Sequence, residues 1–486
     1  MIHKLLYIKN CGRFVNCTLT PSDWDGVFGK VNTIYAENGS GKTTFTQVIK
    51  SLSGNNLDVG CVSRRKTLQA SEDLSISLVA DDKKHLRFNN GKWNRVVNNI
   101  EIYDTYYAES NIYIISLGNH DNPSDFYKLI LSNDSEDIVR KLQRVIRVCQ
   151  NSKNRVKSLS HDVKEYKGTA QENEYKLRLA RAKLIRQNAV QERIDIEKQM
   201  NSMVEEYGGK YLQSVNDYLM LFNPDLRLIK LNKKGQQLVY HLQINGITVR
   251  DDSSSISLKH SLSEGDKSSL SLSFFLARLD LMQDLSDKVI VFDDPLSSFD
   301  TRRRSITASI LSRIANRTSQ FFLLSHDLNF VKDFCNKVPD SINLKIEWKD
   351  GSSRFVSNSI KLESMTGISK DLYILQQFID NGASSDFERR DIVRCIRPAL
   401  EGVFRIKYFS IIKDNEWLGD FLNHIRECDP QSPFNRLKGK IYETISDINE
   451  YSQKYHHSNP QYMEEPIYDT ELRQYVSLTL NIIMYI

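Results

Sequence analysis

Residues 31–45 read VNTIYAENGSGKTTF, and this stretch decides the fold. An apolar β-type run is followed by a turn with two glycines and then by a helical pattern. The turn fits the P-loop pattern G-x-x-x-x-G-K-[ST], except that Ala36 replaces the first glycine. Glycines let backbone N–H groups surround a phosphate at a helix N-terminus, where the helix dipole favours negative charge. The pattern therefore predicts a phosphate site made by Asn38, Gly39, Ser40, Gly41, Lys42, Thr43 and Thr44.

Two side chains of this turn carry the predicted chemistry. Lys42 would reach the β- and γ-phosphates of a nucleoside triphosphate, and Thr43 would ligate Mg²⁺. A strand–turn–helix whose lysine is merely solvated is the alternative. The strand before the turn and the helix after it favour the nucleotide site, with ATP and Mg²⁺ as its ligands.

The second half of the chain adds acids and a histidine at strand ends. Residues 289–294, VIVFDD, form a buried-strand pattern that ends in Asp293 and Asp294, and PLSSFD follows at once. A second apolar run, 320–325, brings His326 to its end. An acidic strand end is common by itself, and an isolated histidine at a strand end is usually structural. In series with the P-loop, the functional interpretation of both is stronger.

The order of these motifs resembles that of the ABC-type ATPases of the SMC and Rad50 kind. The resemblance implies an α/β fold with an ABC-type P-loop ATPase head. It makes Asp293 the Walker B acid that supports Mg²⁺ through water, and it places Asp294 where most relatives carry a glutamate that polarises the attacking water. His326 would be the switch histidine near the γ-phosphate, and Ser298 and Asp300 would lie in the D-loop at a dimer interface.

The segment LSEGD at 262–266 is similar to the signature loop usually written LSGGQ. In the ATPases that it resembles, two heads sandwich two ATP molecules, each between one copy's P-loop and the other copy's signature loop. The resemblance implies a second copy of the chain as partner, in a head dimer or a higher oligomer. Ser263, Gly265 and Lys267 would then contact the nucleotide, and the acids at 264 and 266 would point away from it.

Two departures from the resembling ATPases bear on activity. Asp294 is one methylene shorter than glutamate, and a small misplacement of a catalytic group can cost much rate. We therefore expect slow hydrolysis, suited to a switch more than to a motor. No clear Q-loop glutamine is present, and 100–106 is the best candidate segment for that loop.

A helical insertion separates the two groups of motifs. From 134 to about 207 the chain lacks proline, and apolar residues from 138 to 166 keep a 4-3-4-3 spacing interrupted only by Ser152. This is the a/d seam of a coiled coil, and it predicts a short antiparallel hairpin with a turn at 167–169 and a returning helix at 175–203. The first arm is basic. A solvated helix face and a surface for nucleic acid or an acidic partner both explain Arg140, Lys141, Arg144 and Arg147.

These patterns predict four segments. Residues 1–133 form the N-terminal lobe of the head, and 134–207 form the hairpin. Residues 208–360 form the second lobe, with strands expected at 226–231 and 238–249. Residues 361–486 form a helical domain that acts as an effector or binds a partner.

The C-terminal third contains a second candidate site. Its layout, together with the head motifs, is similar to a bacterial group of antiphage defence ATPases that includes the anticodon nucleases PrrC and RloC and the Septu ATPase PtuA. The resemblance implies an effector nuclease as partner. It also offers Arg397, Glu401 and either His456 or His457 as an RNase site. A simple salt bridge and solvated histidines are the alternative.

The composition narrows the remaining possibilities. A net charge of +5 over 486 residues does not by itself indicate nucleic-acid binding. Seven scattered cysteines without a C-x-x-C pair argue against a disulfide framework and a zinc site. The N-terminus lacks a signal-peptide pattern, and no apolar run is long enough to span a bilayer, so we expect a cytoplasmic protein without a membrane partner. Three hypotheses stay open: an ATPase that regulates a partner nuclease, a self-contained tRNA nuclease, and a DNA-binding ATPase.

Overall fold

The computed structural model describes residues 1–19, 23–67, 72–109, 136–234, 237–249, 262–282, 284–296, 301–413, 415–456 and 465–486. The chain divides into two compact units. The first, Met1–Asn358, contains every predicted nucleotide motif, and the second, Ser359–Ile486, contains the candidate RNase residues.

A six-stranded sheet lies at the centre of the first unit, in the order β14-β13-β3-β12-β11-β7. Five of its strands are parallel, and only β14 runs antiparallel to its neighbour. The strands are β3 (Val31–Tyr35), β7 (Ile100–Tyr103), β11 (Val289–Asp293), β12 (Gln320–Ser325), β13 (Ile342–Lys349) and β14 (Ser352–Ser357). Because both faces are covered, β11 and β12 are buried along their whole length. The predicted α/β P-loop fold is confirmed.

A second, antiparallel sheet covers the N-terminal part of this unit, in the order β2-β1-β4-β5-β6. Its strands are β1 (Ile2–Cys11), β2 (Phe14–Thr18), β4 (Ser75–Ala80), β5 (His85–Asn89) and β6 (Lys92–Trp93). Inward residues of β1, β2 and β4 share one apolar core with β3, β13 and β14. This core fixes the β1–β2 turn beside the P-loop.

The described part of the first unit also contains helices. They are α1 (Lys42–Ser51), α2 (Asn56–Ser63), α3 (Glu136–Glu165), α4 (Glu172–Phe222), α5 (Glu264–Leu281), α6 (Thr301–Arg317) and α7 (Leu328–Cys335). A three-stranded sheet, β8 (Leu226–Lys234), β9 (Gln237–Ile244) and β10 (Ile247–Val249), joins α4 to the segment before α5.

Helices α3 and α4 form the expected antiparallel hairpin. The seam of α3 is buried at Leu142, Val145 and Val156, and small residues of α4 such as Ala182 and Ala189 are buried as well. At the tip, Tyr166 and Tyr175 stack with ring centroids 4.7 Å apart.

The returning helix is longer than the expected 175–203, since α4 continues through the two glycines at 208 and 209 to Phe222. Tyr211, Val215 and Leu219 keep a helical spacing and pack against α5 and β8. This burial offsets the cost of about 1 kcal/mol for each glycine in a helix.

The second unit is helical. Its elements are α8 (Ile360–Glu363), α9 (Gly367–Asn381), α10 (Asp386–Lys407), α11 (Leu418–Glu427), a 3₁₀ turn (Pro433–Leu437), α12 (Lys440–His456) and α13 (Asp469–Tyr485). Pro398 lies inside α10, between buried apolar residues such as Ile396 and Leu400. None of the described helices is both long and apolar enough to cross a membrane.

Candidate functional site

The turn between β3 and α1 has the backbone of a phosphate-binding loop. Gly39 and Gly41 have φ values of 80° and 117°, a region that side-chain-bearing residues rarely adopt. A Cβ on Gly41 would lie 3.0 Å from the ring of Phe14, whereas a Cβ on Gly39 would meet no atom within 4 Å. Gly39 thus borders open space, and Gly41 permits close packing against Phe14.

Lys42 begins α1 and is 5% exposed. Its ammonium donates to the carbonyl oxygens of Ala36 and Glu37 at 2.8 and 3.3 Å, and to Asn38 Oδ1 at 3.4 Å. Asp294 Oδ2 lies 3.4 Å away. A cation is therefore held at the centre of the loop by acceptors that a phosphate can replace.

Asp294 links Lys42 to His326. Its Oδ1 accepts from the main-chain N–H of His326 at 2.9 Å and lies 2.8 Å from His326 Nδ1. Asp294 has a φ of 47°, so its backbone is left-handed at the point where β11 ends. The parallel pairing of β11 with β12 brings these two strand ends together. The three residues predicted from separate motifs form one cluster.

Asp293 is 5% exposed at the end of β11, and its Oδ1 has no hydrogen-bond partner among the described residues. Burial, with the neighbouring charge of Asp294, raises the pKa of Asp293 to about 7. A buried carboxylate oxygen without a donor is costly unless a cation binds it. With the exposed Thr43 on α1, this donor set suits a divalent cation that prefers oxygen ligands.

Asp104 follows β7 and is 1% exposed, and the sequence analysis included it in the candidate segment 100–106 without a role of its own. It accepts from Lys50 at 2.9 Å and from Gln47 at 3.3 Å, both on α1. In the parallel register Phe292 lies opposite Tyr103, so Asp104 and Asp293 follow neighbouring strands at the same level. The available signal was an acid directly after an apolar strand. Asp104 fixes the helix that carries the P-loop.

Arg65 is a residue that the sequence did not indicate. It follows α2, and its Nη1 donates to Thr44 Oγ1 at 3.3 Å. The carbonyl of Arg65 accepts from the N–H of Gly12 in the β1–β2 turn. No sequence pattern predicts these contacts, because Gly12, Thr44 and Arg65 come from three separate elements. The guanidinium of Arg65 adds positive charge on the Thr44 side of the P-loop.

The predicted signature loop begins α5. Ser263 is the N-cap: its hydroxyl accepts from the N–H of Asp266 at 3.2 Å, and Asp266 Oδ2 accepts from the N–H of Ser263 at 2.9 Å. Such a capping box stabilises the helix start. Asp266 also accepts from Asn223, and the exposed Glu264 pairs with Lys267 at 2.7 Å. Both acids thus have partners within the chain. Ser298 and Asp300 lie outside the described residues.

The candidate RNase residues are arranged differently. Arg397 Nε donates to Glu401 Oε1 at 2.8 Å, and the same oxygen accepts from the N–H of Leu418 at 3.0 Å, so this buried carboxylate joins α10 to the start of α11. His456 is the last residue of α12, and the position of its side chain is outside the described set, as is His457. The described part of the structure brings Arg397 and Glu401 together, and the two candidate histidines stay a prediction.

The basic face of the hairpin is exposed. Lys141, Arg144 and Arg147 are all exposed on α3, and none forms a salt bridge within the described part of the chain. The side chain of Arg140 lies outside that part.

Comparison with known proteins agrees with a P-loop ATPase head. Two family models, each described as an AAA domain, match residues 5–207 and 247–381. The gap between the two matches spans β8, β9 and the end of α4. No curated protein matches the chain.

Several similar solved structures are SMC heads. The Pyrococcus furiosus Smc head with an extended coiled coil, bound to the C-terminal domain of ScpA, is 15% identical, with 78% of this chain and 99% of that chain covered and a TM-score of 0.42. The Pyrococcus yayanosii head with coiled coil and joint is 13% identical, with coverages of 74% and 97% and a TM-score of 0.39. The Thermotoga maritima SMC head is 13% identical, with coverages of 74% and 100% and a TM-score of 0.29.

Proposed function

We propose that the chain is an ATP-binding, slowly hydrolysing ABC/SMC-like ATPase that dimerises on ATP and regulates an effector nuclease in bacterial antiphage defence. The observation that carries the ATPase part is the cluster of Lys42, Asp294 and His326 beside the partnerless oxygen of Asp293. The antiphage and nuclease parts rest on the motif resemblance in the head and the C-terminal layout.

The proposed chemistry follows from the cluster. Lys42 would neutralise charge on the β- and γ-phosphates in place of its carbonyl partners. The carboxylate of Asp294 would accept the proton that water loses as its oxygen attacks the γ-phosphorus. His326 would hold that carboxylate through the contacts at 2.8 and 2.9 Å. Asp294 is short and already has three polar contacts to give up or share, which supports slow turnover.

Mg²⁺ would be held by Thr43 and Asp293. When bound, it would neutralise phosphate charge and supply the cation that the buried carboxylate lacks.

Dimerisation can be tested at the signature loop. Ser263→Arg should leave ATP binding to the monomer intact and abolish ATP-driven dimerisation, measured by light scattering with and without Mg·ATP. The matched control is Ser385→Arg. Ser385 also caps a helix, α10, by accepting from an N–H at 3.2 Å, so both changes lose a cap worth about 1 kcal/mol. Equal dimerisation in the two variants would refute the sandwich.

Nucleic-acid contact is a second candidate function, favoured by the exposed cations of α3. Neutralising Lys141, Arg144 and Arg147 should weaken duplex binding. The slope of the logarithm of the binding constant against the logarithm of the salt concentration should become less steep by about three. A chain that binds duplex with no salt dependence would exclude this surface.

A self-contained RNase is less well supported, because Glu401 already bonds Arg397 and the backbone of α11. If the purified chain cleaves tRNA and Glu401→Ala abolishes the cleavage without unfolding it, the partner-nuclease proposal fails.

A further inference from the structure

Trp348 occupies an unusual position at the end of β13. Leu344 and Ile346, which precede it on the same face of the strand, are 0% and 1% exposed, but Trp348 is 51% exposed. The alternation of a strand would place another core residue here. A large aromatic side chain that leaves the core at this point therefore needs a separate explanation.

The strand register ties Trp348 to the P-loop. Trp348 lies opposite Ser353 on β14, and directly opposite side chains share one face of a sheet with Cβ atoms about 5 Å apart. Ser353 Oγ donates to the carbonyl oxygen of Ser40 at 2.6 Å and lies 3.6 Å from the position of a Cβ on Gly41. The indole is thus one cross-strand step from a residue that touches the phosphate loop.

A flat cation accompanies the indole. The guanidinium carbon of Arg13 lies 5.1 Å from the centroid of the Trp348 ring. Arg13 belongs to the β1–β2 turn, and its carbonyl oxygen accepts from the N–H of Ser353 at 2.9 Å. The same turn places Gly12 against the hydroxyl of Thr44, where a Cβ would come within 3.1 Å. Arg13 and Trp348 therefore adjoin the P-loop on the side of Thr44.

We propose that Trp348 and Arg13 form the stacking platform for the purine base of the nucleotide. A base has two flat π faces, and indole rings and guanidinium planes are the protein groups on which bases stack. The platform rests on the proposed nucleotide-binding function, and it adds the part of the site that recognises the base, separate from the phosphate cradle of Lys42.

The chain offers a matched control. Trp417 in the C-terminal unit is 55% exposed, and Arg405 lies over its ring with the guanidinium carbon 5.1 Å from the centroid. The two tryptophans thus have similar exposure and each has an arginine over its ring at the same distance, but only Trp348 adjoins the P-loop.

Calorimetric titration of the full chain with Mg·ATP and, separately, with Mg·tripolyphosphate tests the platform. Trp348→Ala should weaken ATP binding about tenfold and leave tripolyphosphate binding unchanged, because only ATP has a base. Trp348→Phe should retain most of the affinity, and Trp417→Ala all of it. Lys42→Ala should weaken both ligands.

The outcomes separate the two proposals. If Trp348→Ala weakens ATP and tripolyphosphate equally, or weakens neither, the platform is refuted while the nucleotide site stands. A wild-type chain that binds tripolyphosphate and ATP with equal affinity also refutes the platform alone. If the wild type binds neither ligand, the proposed ATPase function falls, and the platform with it.

Discussion

Asp293 in the head and Glu401 in the C-terminal unit are both buried carboxylates, 5% and 6% exposed. The sequence suggested Mg²⁺ binding for the first and an RNase site for the second. Glu401 is bonded to a guanidinium and to a helix N–H, whereas one oxygen of Asp293 has no partner in the described structure. Beside Asp293 lie a buried lysine and a residue with left-handed backbone. Unmet bonding capacity and left-handed backbone are what we expect of the proposed ligand site, whereas satisfied charges are what we expect of a structural contact.

The largest effect, a loss of ATPase activity, should come from removing the ammonium of Lys42. Lys42→Ala removes the ammonium at the centre of the P-loop, and we expect a 10²- to 10³-fold loss of kcat/KM for ATP, about 3–4 kcal/mol. Steady-state phosphate release measures it. Arg397→Ala is the comparison, because it removes the cation of the satisfied pair and should leave the ATPase rate unchanged. An equal loss in both variants would erase the distinction between the two regions.

The next largest effect should come from removing Glu401, which bonds both Arg397 and the N–H of Leu418. Glu401→Ala leaves the guanidinium of Arg397 and the N–H of Leu418 without their shared acceptor, and we expect the free energy of unfolding of the C-terminal unit to fall by about 3 kcal/mol. Urea unfolding monitors this change. A Glu401→Ala chain as stable as the wild type would show that the Arg397–Glu401 pair does not stabilise the C-terminal unit.

Removing the charge of Asp293 should stabilise the protein, whereas removing that of Glu401 should destabilise it. Its pKa is about 7 in the folded chain and about 3.8 ordinarily, so between these values the native state keeps a proton that the unfolded state has lost. Stability should therefore fall as pH rises from about 4 to about 7 and then level off.

Asp293→Asn removes this ionisation, and it should raise the free energy of unfolding at pH 8 by about 2 kcal/mol without added Mg²⁺. Urea titrations at pH 5 and pH 8 measure the change, and the gain should be much smaller at pH 5. A variant that is less stable than the wild type at pH 8 would mean that the carboxylate is already satisfied.

Much of this contrast could not be read from the sequence. The spacing of the P-loop and the apolar strand before Asp293 predicted the cluster of Lys42, Asp293 and Asp294, because glycines at a strand–helix turn are typical of phosphate loops. The roles of Asp104 and Arg65 were missed because they arise only when parallel strands and separate turns come together. For Arg397 and Glu401, the resemblance suggested an RNase site, and the four-residue spacing indicated only that the two side chains meet. The bond from the N–H of Leu418 to Glu401 could not be predicted, because it joins two separate helices.

The length of the acid at 294 gives the smallest and sharpest test. Glutamate is expected there by resemblance, but a φ of 47° favours aspartate and asparagine, whose short side chains tolerate left-handed backbone. The short carboxylate is also what reaches the N–H of His326 at 2.9 Å. Asp294→Glu should lower the free energy of unfolding by about 1 kcal/mol, while Asp294→Asn, which keeps both the backbone preference and an acceptor oxygen, should lower it less. Urea unfolding of both variants decides the point. If glutamate is accommodated at no cost, the backbone does not select the aspartate, and the shorter acid has to be explained by the rate of hydrolysis that it permits.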